Sequence, residues 1–401
     1  MEHYRTKCPT GVKTAAPEDT IMQKGRPATA GSGILKNFIA PFDATVVTRL
    51  EEAGIHISGQ AGMDEFGIAG LFEDAGEMMP GAVSAVAEGT AGFALCNDYT
   101  GSTARRAAMN GLCYIHPTYG TVSRYGLIPA AASMDQIGIV CKNPIEGFEI
   151  LSIIAGHDPK DGAMDSRNSE FGILNSELGR QIIGIPVNVS AGNAEKNPHT
   201  EFTKNFNTVN IELKFFDIYP QVMQILCCAE ISNNINRYDG IKFGYRAEDF
   251  KDLHELYTKS RTEAFGQETK LALITGAMVL SKENYEKYYD KAMRIRRLIK
   301  ESLEFDKYNI ISCADGRNES NLRNHFAPGC AGTAKYDIIA LPATGAGPRD
   351  KLALHALPRL CGLPAVTIPS SGGGITLIAD AHREDILIEA LRSVCQKEVT
   401  L

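Results

Sequence analysis

The chain has 401 residues, of which 44% are hydrophobic and 22% are charged, and its formal net charge is −7. This composition is typical of a globular protein with a full-size core and argues against a disordered or low-complexity chain. No Lys/Arg-rich run extends beyond one face of a helix, the best candidate being residues 287–300, so we expect no direct binding to nucleic acid.

The sequence has no apolar run of about eighteen residues and no apolar segment near Met1. We therefore expect no membrane span and no signal peptide. The ten cysteines are spread along the chain, mostly in apolar runs, which is typical of free thiols in a reducing cytoplasm. No HExxH motif and no cluster of His and Cys residues is present, and we expect neither a metal ion nor a cofactor.

The first half of the chain contains three predicted helices and a strand. Residues 41–54 form an amphipathic pattern that Asp43 can cap and Gly54 can end, and a short strand follows over 55–59. Small residues over 80–95 predict a buried helix. Residues 143–156 predict a helix with an Asn cap, a Pro in the first turn and a Gly at the end.

The second half predicts four buried strands and a long helix. The strands are 238–246, 336–344, 363–370 and 374–380, and the longest helix is 283–305. The glycine-rich segments 344–350 and 370–376 match no phosphate-binding motif and predict turns. Helices that alternate with continuous apolar strands indicate an α/β protein whose sheet is covered on both faces. We find no linker or repeat and predict one domain over 1–401, with residues 1–32 partly irregular.

Several stretches follow one another in an order that is found in a known family. They include "GMDEFGIAG" at 62–70, "SAVAEG" at 84–89, "HPTYGTVSRYGLIPAAASMDQIG" at 116–138 and "CGLPAVTIP" at 361–369. In these stretches the chain resembles the amidase signature family, and within it the A subunits of the tRNA-dependent glutamyl/aspartyl amidotransferases. The resemblance implies an α/β amidase signature fold, with one large twisted mixed sheet between helices.

The resemblance also implies a mechanism for amide hydrolysis. Members of the family use a Ser–Ser–Lys triad in which a lysine, kept neutral by burial, is the base, a first serine relays the proton and a second serine attacks the carbonyl. Backbone N–H groups of a glycine turn beside the nucleophile stabilise the oxyanion.

Alignment with the family motifs assigns these roles to positions of this sequence. In "NDYTGSTARR", Ser102 lies at the nucleophile position, and Tyr99, Thr100 and Gly101 lie at the oxyanion and substrate-pocket positions. The relay serine is replaced by Met78 and the lysine by Glu18. Since a thioether cannot relay a proton, two of the three triad members are absent.

The polar residues that surround the family's substrate are replaced as well. The arginine two places after the nucleophile is Ala104, and the substrate-binding tyrosines, arginines and aspartate correspond to apolar or amide residues: Met223, Gln224, Leu271, Ala272 and Leu352. These changes favour a protein that lacks amide hydrolysis by the family mechanism and acts as a binding, scaffold or regulatory protein. The alternative is an amide or ester hydrolase, or an acyl transferase, with rebuilt chemistry. In it Ser102 is the nucleophile, Glu18 the base, and His116 or Arg105 a helper.

Partners follow from the same resemblance. An amidotransferase A subunit works with a second subunit, so we expect a homo-oligomer or a complex with another protein. The altered pocket around Glu18, Met78 and Ser102 is a candidate site for a small-molecule ligand.

Overall fold

The computed structural model describes residues 13–72, 78–164, 181–189, 202–204, 206–305, 336–345, 348–370 and 373–398. Residues 1–12 of the predicted irregular N-terminal stretch lie outside these ranges. The described part of that stretch contains a strand from Thr14 to Pro17.

The described residues form ten strands and ten α-helices. The strands are β1 Thr14–Pro17, β2 His56–Ile57, β3 Phe93–Asn97, β4 Cys113–His116, β5 Ile137–Cys141, β6 Ile182–Pro186, β7 Asn207–Ile211, β8 Ile338–Pro342, β9 Ala365–Ile368 and β10 Ile375–Ala379. The helices are α1 Thr45–Glu52, α2 Gly81–Ala87, α3 Ser102–Met109, α4 Pro144–Ile154, α5 Tyr219–Ile235, α6 Leu253–Ala264, α7 Gln267–Leu280, α8 Lys291–Glu301, α9 Pro348–Cys361 and α10 Glu384–Glu398.

All ten strands belong to one mixed sheet. Their order is β2-β1-β3-β5-β4-β9-β10-β8-β6-β7. The strands are parallel at the two ends of the sheet, where β1 pairs with β2 and β3, and β6 pairs with β7 and β8. The central strands from β3 to β8 are antiparallel.

Alternate residues of the central strands face opposite helical layers. Ile338 and Ala340 of β8 pack in a core with residues of α1, α4 and α10, whereas Ile339 and Leu341 pack in a core with residues of α5 and α9. Apolar residues therefore fill both faces of the sheet, which is why the strands form continuous apolar runs in the sequence. The predicted α/β fold, with a large mixed sheet between helices, is confirmed.

Several predicted elements agree with the structure. Helix α4 begins after Asn143, whose side-chain oxygen accepts the N–H of Ile145 at 2.9 Å. The strands predicted at 336–344, 363–370 and 374–380 contain β8, β9 and β10. The predicted strand after α1 is β2, which pairs with β1. The free cysteines Cys96, Cys113, Cys141, Cys227, Cys228 and Cys361 are buried.

The predicted strand at 238–246 is wrong. In the structure this segment contains a turn in which the Asp239 carboxylate accepts the N–H groups of Ile241 and Lys242 at 2.8 and 3.1 Å. Gly240 and Gly244 adopt φ of 74° and 87°, a left-handed conformation that glycine tolerates and that a regular strand does not contain.

Three predicted helices differ in detail from those observed. Helix α1 begins after Ala44, and Asp43 accepts the backbone N–H of Lys24 instead of capping the helix. The helix predicted at 80–95 ends at Ala87. The last residues of the predicted segment belong instead to β3, which pairs with β1 and β5. The helix predicted at 283–305 consists of a π-helix, Tyr285–Asp290, followed by α8, and the longest described α-helix is α5, with 17 residues.

Candidate functional site

Ser102 lies where the chain turns sharply from a strand into a helix. Strand β3 ends at Asn97, and α3 begins at Ser102, which is partly buried. Gly101, between them, has a φ of 87°, and a Cβ at this position would overlap the side chain of His355. The backbone conformation and the close approach of α9 therefore both require glycine at 101.

The Asp98 carboxylate fixes the conformation of this turn, which we call the serine turn (residues 98–102). Its oxygens accept the backbone N–H groups of Gly101, Thr103 and Ala104 at 2.8, 3.2 and 2.9 Å. These are N–H groups at the start of α3, which have no partner within the helix. A carboxylate at this position satisfies them and also interacts favourably with the helix dipole.

Arg359 of α9 neutralises this buried carboxylate. Its Nη2 lies 2.8 Å from Asp98 Oδ2, its Nε donates to the Asp98 carbonyl at 2.7 Å, and its Nη1 donates to the His355 carbonyl at 2.9 Å. Both side chains of the pair are only 1% exposed. The sequence analysis missed Arg359. The available signal was a single arginine within the apolar segment "LHALPRLCGLPA", because a lone buried charge needs a partner.

The backbone N–H groups of one predicted oxyanion position, Gly101, and of the predicted nucleophile, Ser102, are engaged within the serine turn. The N–H of Gly101 donates to Asp98, and the N–H of Ser102 is directed at Thr100 Oγ1, 3.4 Å away. Tyr99, also at an oxyanion position, is fully buried, and its hydroxyl donates to the Phe66 carbonyl at 2.8 Å. The turn is therefore held by its own side chains.

A second segment lies against the serine turn. A Cβ at Gly70 would overlap Thr100 Oγ1 and would lie 3.2 Å from the Ser102 Cβ, so this backbone passes directly over both residues. Asp64 holds the segment in place, since its Oδ2 accepts the N–H of Ala69 at 2.8 Å. Burial raises the pKa of Asp64 to about 6.

Glu18 lies at the end of β1, buried beside β3. Its Oε2 accepts the backbone N–H of Asn97 at 2.9 Å and lies 3.4 Å from the Thr20 hydroxyl. Burial raises the pKa of Glu18 from 4.5 to about 8, and the neighbouring carboxylates of Asp64 and Asp98 add to the shift. The side chain at the lysine position is therefore a neutral carboxylic acid at pH 7.

Met78 is the exposed member of the three triad positions. Its side chain is 52% exposed, and the Sδ of its neighbour Met79 lies 3.8 Å from the side-chain nitrogen of Asn110. Asn110 caps the C-terminal end of α3, about 12 Å along the helix axis from Ser102. The structure thus places Glu18 next to the strand that leads into the serine turn, whereas the Met78 side chain lies at the surface.

The proposed helper residues are also buried. The pKa of His116 is well below its ordinary value because the ring is buried and lies near Arg359. Burial and Arg359 likewise lower the pKa of His355 to about 4. Both imidazoles are neutral at pH 7. Arg105 is buried on α3, and its Nη1 lies 3.8 Å from Met109 Sδ.

Within the described residues, no three His, Cys, Asp or Glu side chains are arranged to hold a metal ion. No helix in the same part of the chain is long and apolar enough to cross a membrane.

Ser102 thus lies at the first position of α3, in a glycine turn that follows a strand of the mixed sheet. The chain belongs to the Amidase family, which matches residues 8–73 and 80–344. Met78 falls in the interval between the two matched segments.

Curated relatives are the A subunits of glutamyl-tRNA(Gln) amidotransferases. That of Lachnoclostridium phytofermentans is 37% identical over 323 residues, which cover 74% of this chain and 65% of the relative. That of Trichodesmium erythraeum is 32% identical over 413 residues, which cover 95% of this chain and 83% of the relative.

Solved structures share the fold. The A subunit of the glutamyl-tRNA(Gln) amidotransferase of Thermotoga maritima aligns with a TM-score of 0.66 at 23% identity, covering 98% of this chain and 86% of that one. The peptide amidase of Stenotrophomonas maltophilia aligns with a TM-score of 0.70 at 20% identity, covering 96% of this chain and 82% of that one.

The titration of Glu18 makes stability depend on pH. The pKa of Glu18 is about 8 in the folded protein and 4.5 in the unfolded chain. Between pH 4.5 and pH 8 the folded state therefore retains a proton that the unfolded state has lost. Stability therefore falls as the pH rises through this window, by at most about 1.4 kcal/mol per pH unit. Glu18→Gln removes the titration. Its unfolding free energy relative to wild type should rise steadily from pH 5 to pH 8 in urea titrations.

Glu51→Gln, at an exposed position of α1, is the matched control and should follow the wild-type pH dependence. If the wild-type and Glu18→Gln curves run parallel over this range, Glu18 is not a buried neutral acid.

Removing the Arg359 cation from the buried ion pair should lower the stability of the protein strongly. Arg359→Met leaves the Asp98 carboxylate without its partner, and we expect a loss of about 3–5 kcal/mol in the free energy of unfolding. Arg294→Met is the control, because Arg294 is 77% exposed in its ion pair with Asp290, and its loss should cost less than about 1 kcal/mol. Equal, small effects of the two substitutions in urea unfolding would contradict the role assigned to Arg359.

Proposed function

We propose that this chain is a non-hydrolytic member of the Amidase family that acts as a binding, scaffold or regulatory protein. The observation that carries the proposal is the serine turn, in which the N–H groups of Gly101 and Ser102 are directed at Asp98 and Thr100 instead of at a substrate.

Amide hydrolysis requires N–H donors at the position where the tetrahedral intermediate places its negative oxygen. The loss of one such donor typically slows catalysis about 10²- to 10³-fold. The Gly101 N–H lies 2.8 Å from a carboxylate that is itself held by Arg359, so an oxyanion would have to compete with a fixed negative charge for it. The position of Gly70 over the Ser102 Cβ restricts the approach of a substrate further.

The base position supports the same proposal. A serine hydroxyl becomes a nucleophile only when a nearby base removes its proton. Glu18 is protonated at pH 7 because its pKa is about 8, and its Oε2 is directed at the Asn97 N–H. Met78 cannot accept a proton at all.

A role as one subunit of a complex agrees with the exposed surface. The outward face of α7 carries Leu271, Ile274 and Met278, which are 48%, 69% and 49% exposed, and Tyr285 and Tyr288 extend it. An apolar surface of this kind is typical of a protein contact. We propose a homo-oligomer or a partner subunit, in keeping with relatives that are named as A subunits, and no direct contact with nucleic acid.

The remaining assignments are proposals of the same kind. We infer a single domain over the whole chain, supported by the one sheet to which all described strands belong. We infer a cytoplasmic location, supported by the buried free cysteines. A small-molecule ligand in the altered pocket would have to displace the Gly70 segment from Ser102.

A second candidate function is a hydrolase with rebuilt residues. One observation favours it: a carboxyl group with a pKa near 8 can exchange protons close to neutral pH, as a general base does. In that case Ser102 is the nucleophile and activity rises with pH through about 8, as Glu18 ionises.

The two candidates are separated by an activity assay at pH 7 and pH 9. Purified protein is incubated with glutamine, asparagine and a panel of simple amides and esters, and ammonia or acid release is measured for wild type, Ser102→Ala and Glu18→Gln. We expect no release that depends on Ser102 at either pH, because Asp98 engages the Gly101 N–H and because the Glu18 carboxyl, even when it is ionised at pH 9, accepts the Asn97 N–H instead of the Ser102 hydroxyl.

A background rate that persists in Ser102→Ala counts as contamination. Release that is stronger at pH 9, and that both substitutions abolish, would establish the rebuilt hydrolase and overturn the proposal.

A further inference from the structure

A cavity of about 440 Å³ lies apart from the residues assigned to the triad. It is lined by Met22 and by three segments that are distant in sequence, around Ile34–Phe38, around Ile128 and around Arg237–Tyr245. Neither Glu18, Met78 nor Ser102 lines it. Its size falls within the range of about 300–1,000 Å³ that is typical of small-molecule sites.

Most of the cavity wall is apolar. Ile34, Leu35 and Ile128 are buried residues of the main core that also line the cavity, and Phe38 and Phe243 complete the wall. Phe243 is 58% exposed, which is unusual for a phenylalanine and places an aromatic ring where a ligand could cover it. The body of a ligand that fits this wall is therefore apolar.

The polar side chains that line the cavity bring donors and no carboxylate. They are the Arg237 guanidinium, the Lys242 ammonium, the Asn37 amide and the hydroxyls of Tyr238 and Tyr245, of which the Tyr245 hydroxyl donates to Glu263 at 2.7 Å. The Lys242 ammonium has no hydrogen-bond or ion-pair partner among the residues that the structure describes. Asp239, the acidic residue between Arg237 and Lys242, does not line the cavity, because its carboxylate accepts the N–H groups of Ile241 and Lys242.

Arg237 is held in position for a ligand. Its Nε donates to the Asn234 carbonyl at 2.8 Å, and its Nη2 lies 3.4 Å from Asn234 Oδ1. Among the described residues, its Nη1 has no partner. A guanidinium that is already held at one side loses little further conformational entropy when its other side binds an anion.

The wall around the cavity is also fixed before a ligand arrives. The N–H of Tyr245 donates to the Ile34 carbonyl at 2.6 Å, which joins two of the three segments. Gly244 packs so closely on Ile34 that a Cβ would lie 2.9 Å from its Cγ1. The Lys36 ammonium lies 4.2 Å from the centre of the Tyr245 ring and links the same two segments.

We infer that this cavity binds a small carboxylate with an apolar aryl or alkyl body. The apolar wall takes the body, and Arg237 and Lys242 bind the carboxylate through charged hydrogen bonds. The inference does not depend on the proposed function of the serine turn, since the two sites share no residue.

Three probes with the same body and different head groups test the inference. They are 3-phenylpropanoate, 3-phenylpropanol and 3-phenylpropylamine, and their binding to the full-length protein is measured by calorimetry and by ligand-detected NMR. We expect the carboxylate to bind at least roughly tenfold more tightly than the alcohol, and the amine to bind least, because charged hydrogen bonds favour only the first.

Variants locate the binding. Arg237→Gln and Lys242→Gln should each weaken 3-phenylpropanoate binding by roughly tenfold, and Phe243→Ala should weaken all probes that bind. Lys282→Gln, an exposed lysine after α7, is the matched control and should change nothing. An unchanged melting temperature shows that each variant is folded.

Three results would overturn the inference. They are the absence of binding by the carboxylate at millimolar concentration, equal binding of the carboxylate and the amine, and full retention of carboxylate binding in the Arg237→Gln/Lys242→Gln double variant.

Discussion

The structure of the candidate site depends on the buried ion pair between Asp98 and Arg359. A carboxylate that is 1% exposed cannot remain charged without a cation and several donors, and here it has Arg359 and three backbone N–H groups. Through this pair α9 is joined to the start of α3, and the close approach of His355 then leaves room only for glycine at 101. The conformation of the turn that carries Ser102 is thus set by contacts behind the serine.

The same contacts limit what Ser102 can do. Asp98 accepts the Gly101 N–H, which an oxyanion would need, and Thr100 Oγ1 lies near the Ser102 N–H. The backbone at Gly70 packs against Thr100 and Ser102. Glu18, which motif alignment predicts at the base position, is a carboxylic acid whose pKa is raised by burial to about 8. Under the proposed function, the family fold is retained while the groups at the predicted catalytic positions are either replaced or engaged in holding the fold.

The fold was predictable from the sequence to a large extent, because the order of family segments and the continuous apolar strands both indicate a covered mixed sheet. Local patterns failed where a turn residue or a tertiary contact decided the outcome. The segment 238–246, predicted as a strand, forms a turn because of Asp239 and two glycines. The end of the helix predicted at 80–95 belongs to β3, because it pairs with β1 and β5. Of the site, the positions of Glu18 and Ser102 followed from motif alignment. The role of Arg359 did not, since it lies 261 residues from Asp98 and only the fold brings them together.

The central claim is that Ser102 is an ordinary hydroxyl in an occupied turn, and its reaction with a fluorophosphonate tests this most directly. The protein is incubated with an excess of the probe at pH 7 and pH 9, and the mass of the intact chain and of the peptide that contains Ser102 is measured. We predict no adduct at Ser102 at either pH, as for Ser102→Ala, because Glu18 is directed at the Asn97 N–H even when it is ionised, and because the Gly101 and Ser102 N–H groups are directed at Asp98 and Thr100. A stoichiometric adduct at Ser102, absent from the alanine variant, would contradict the account.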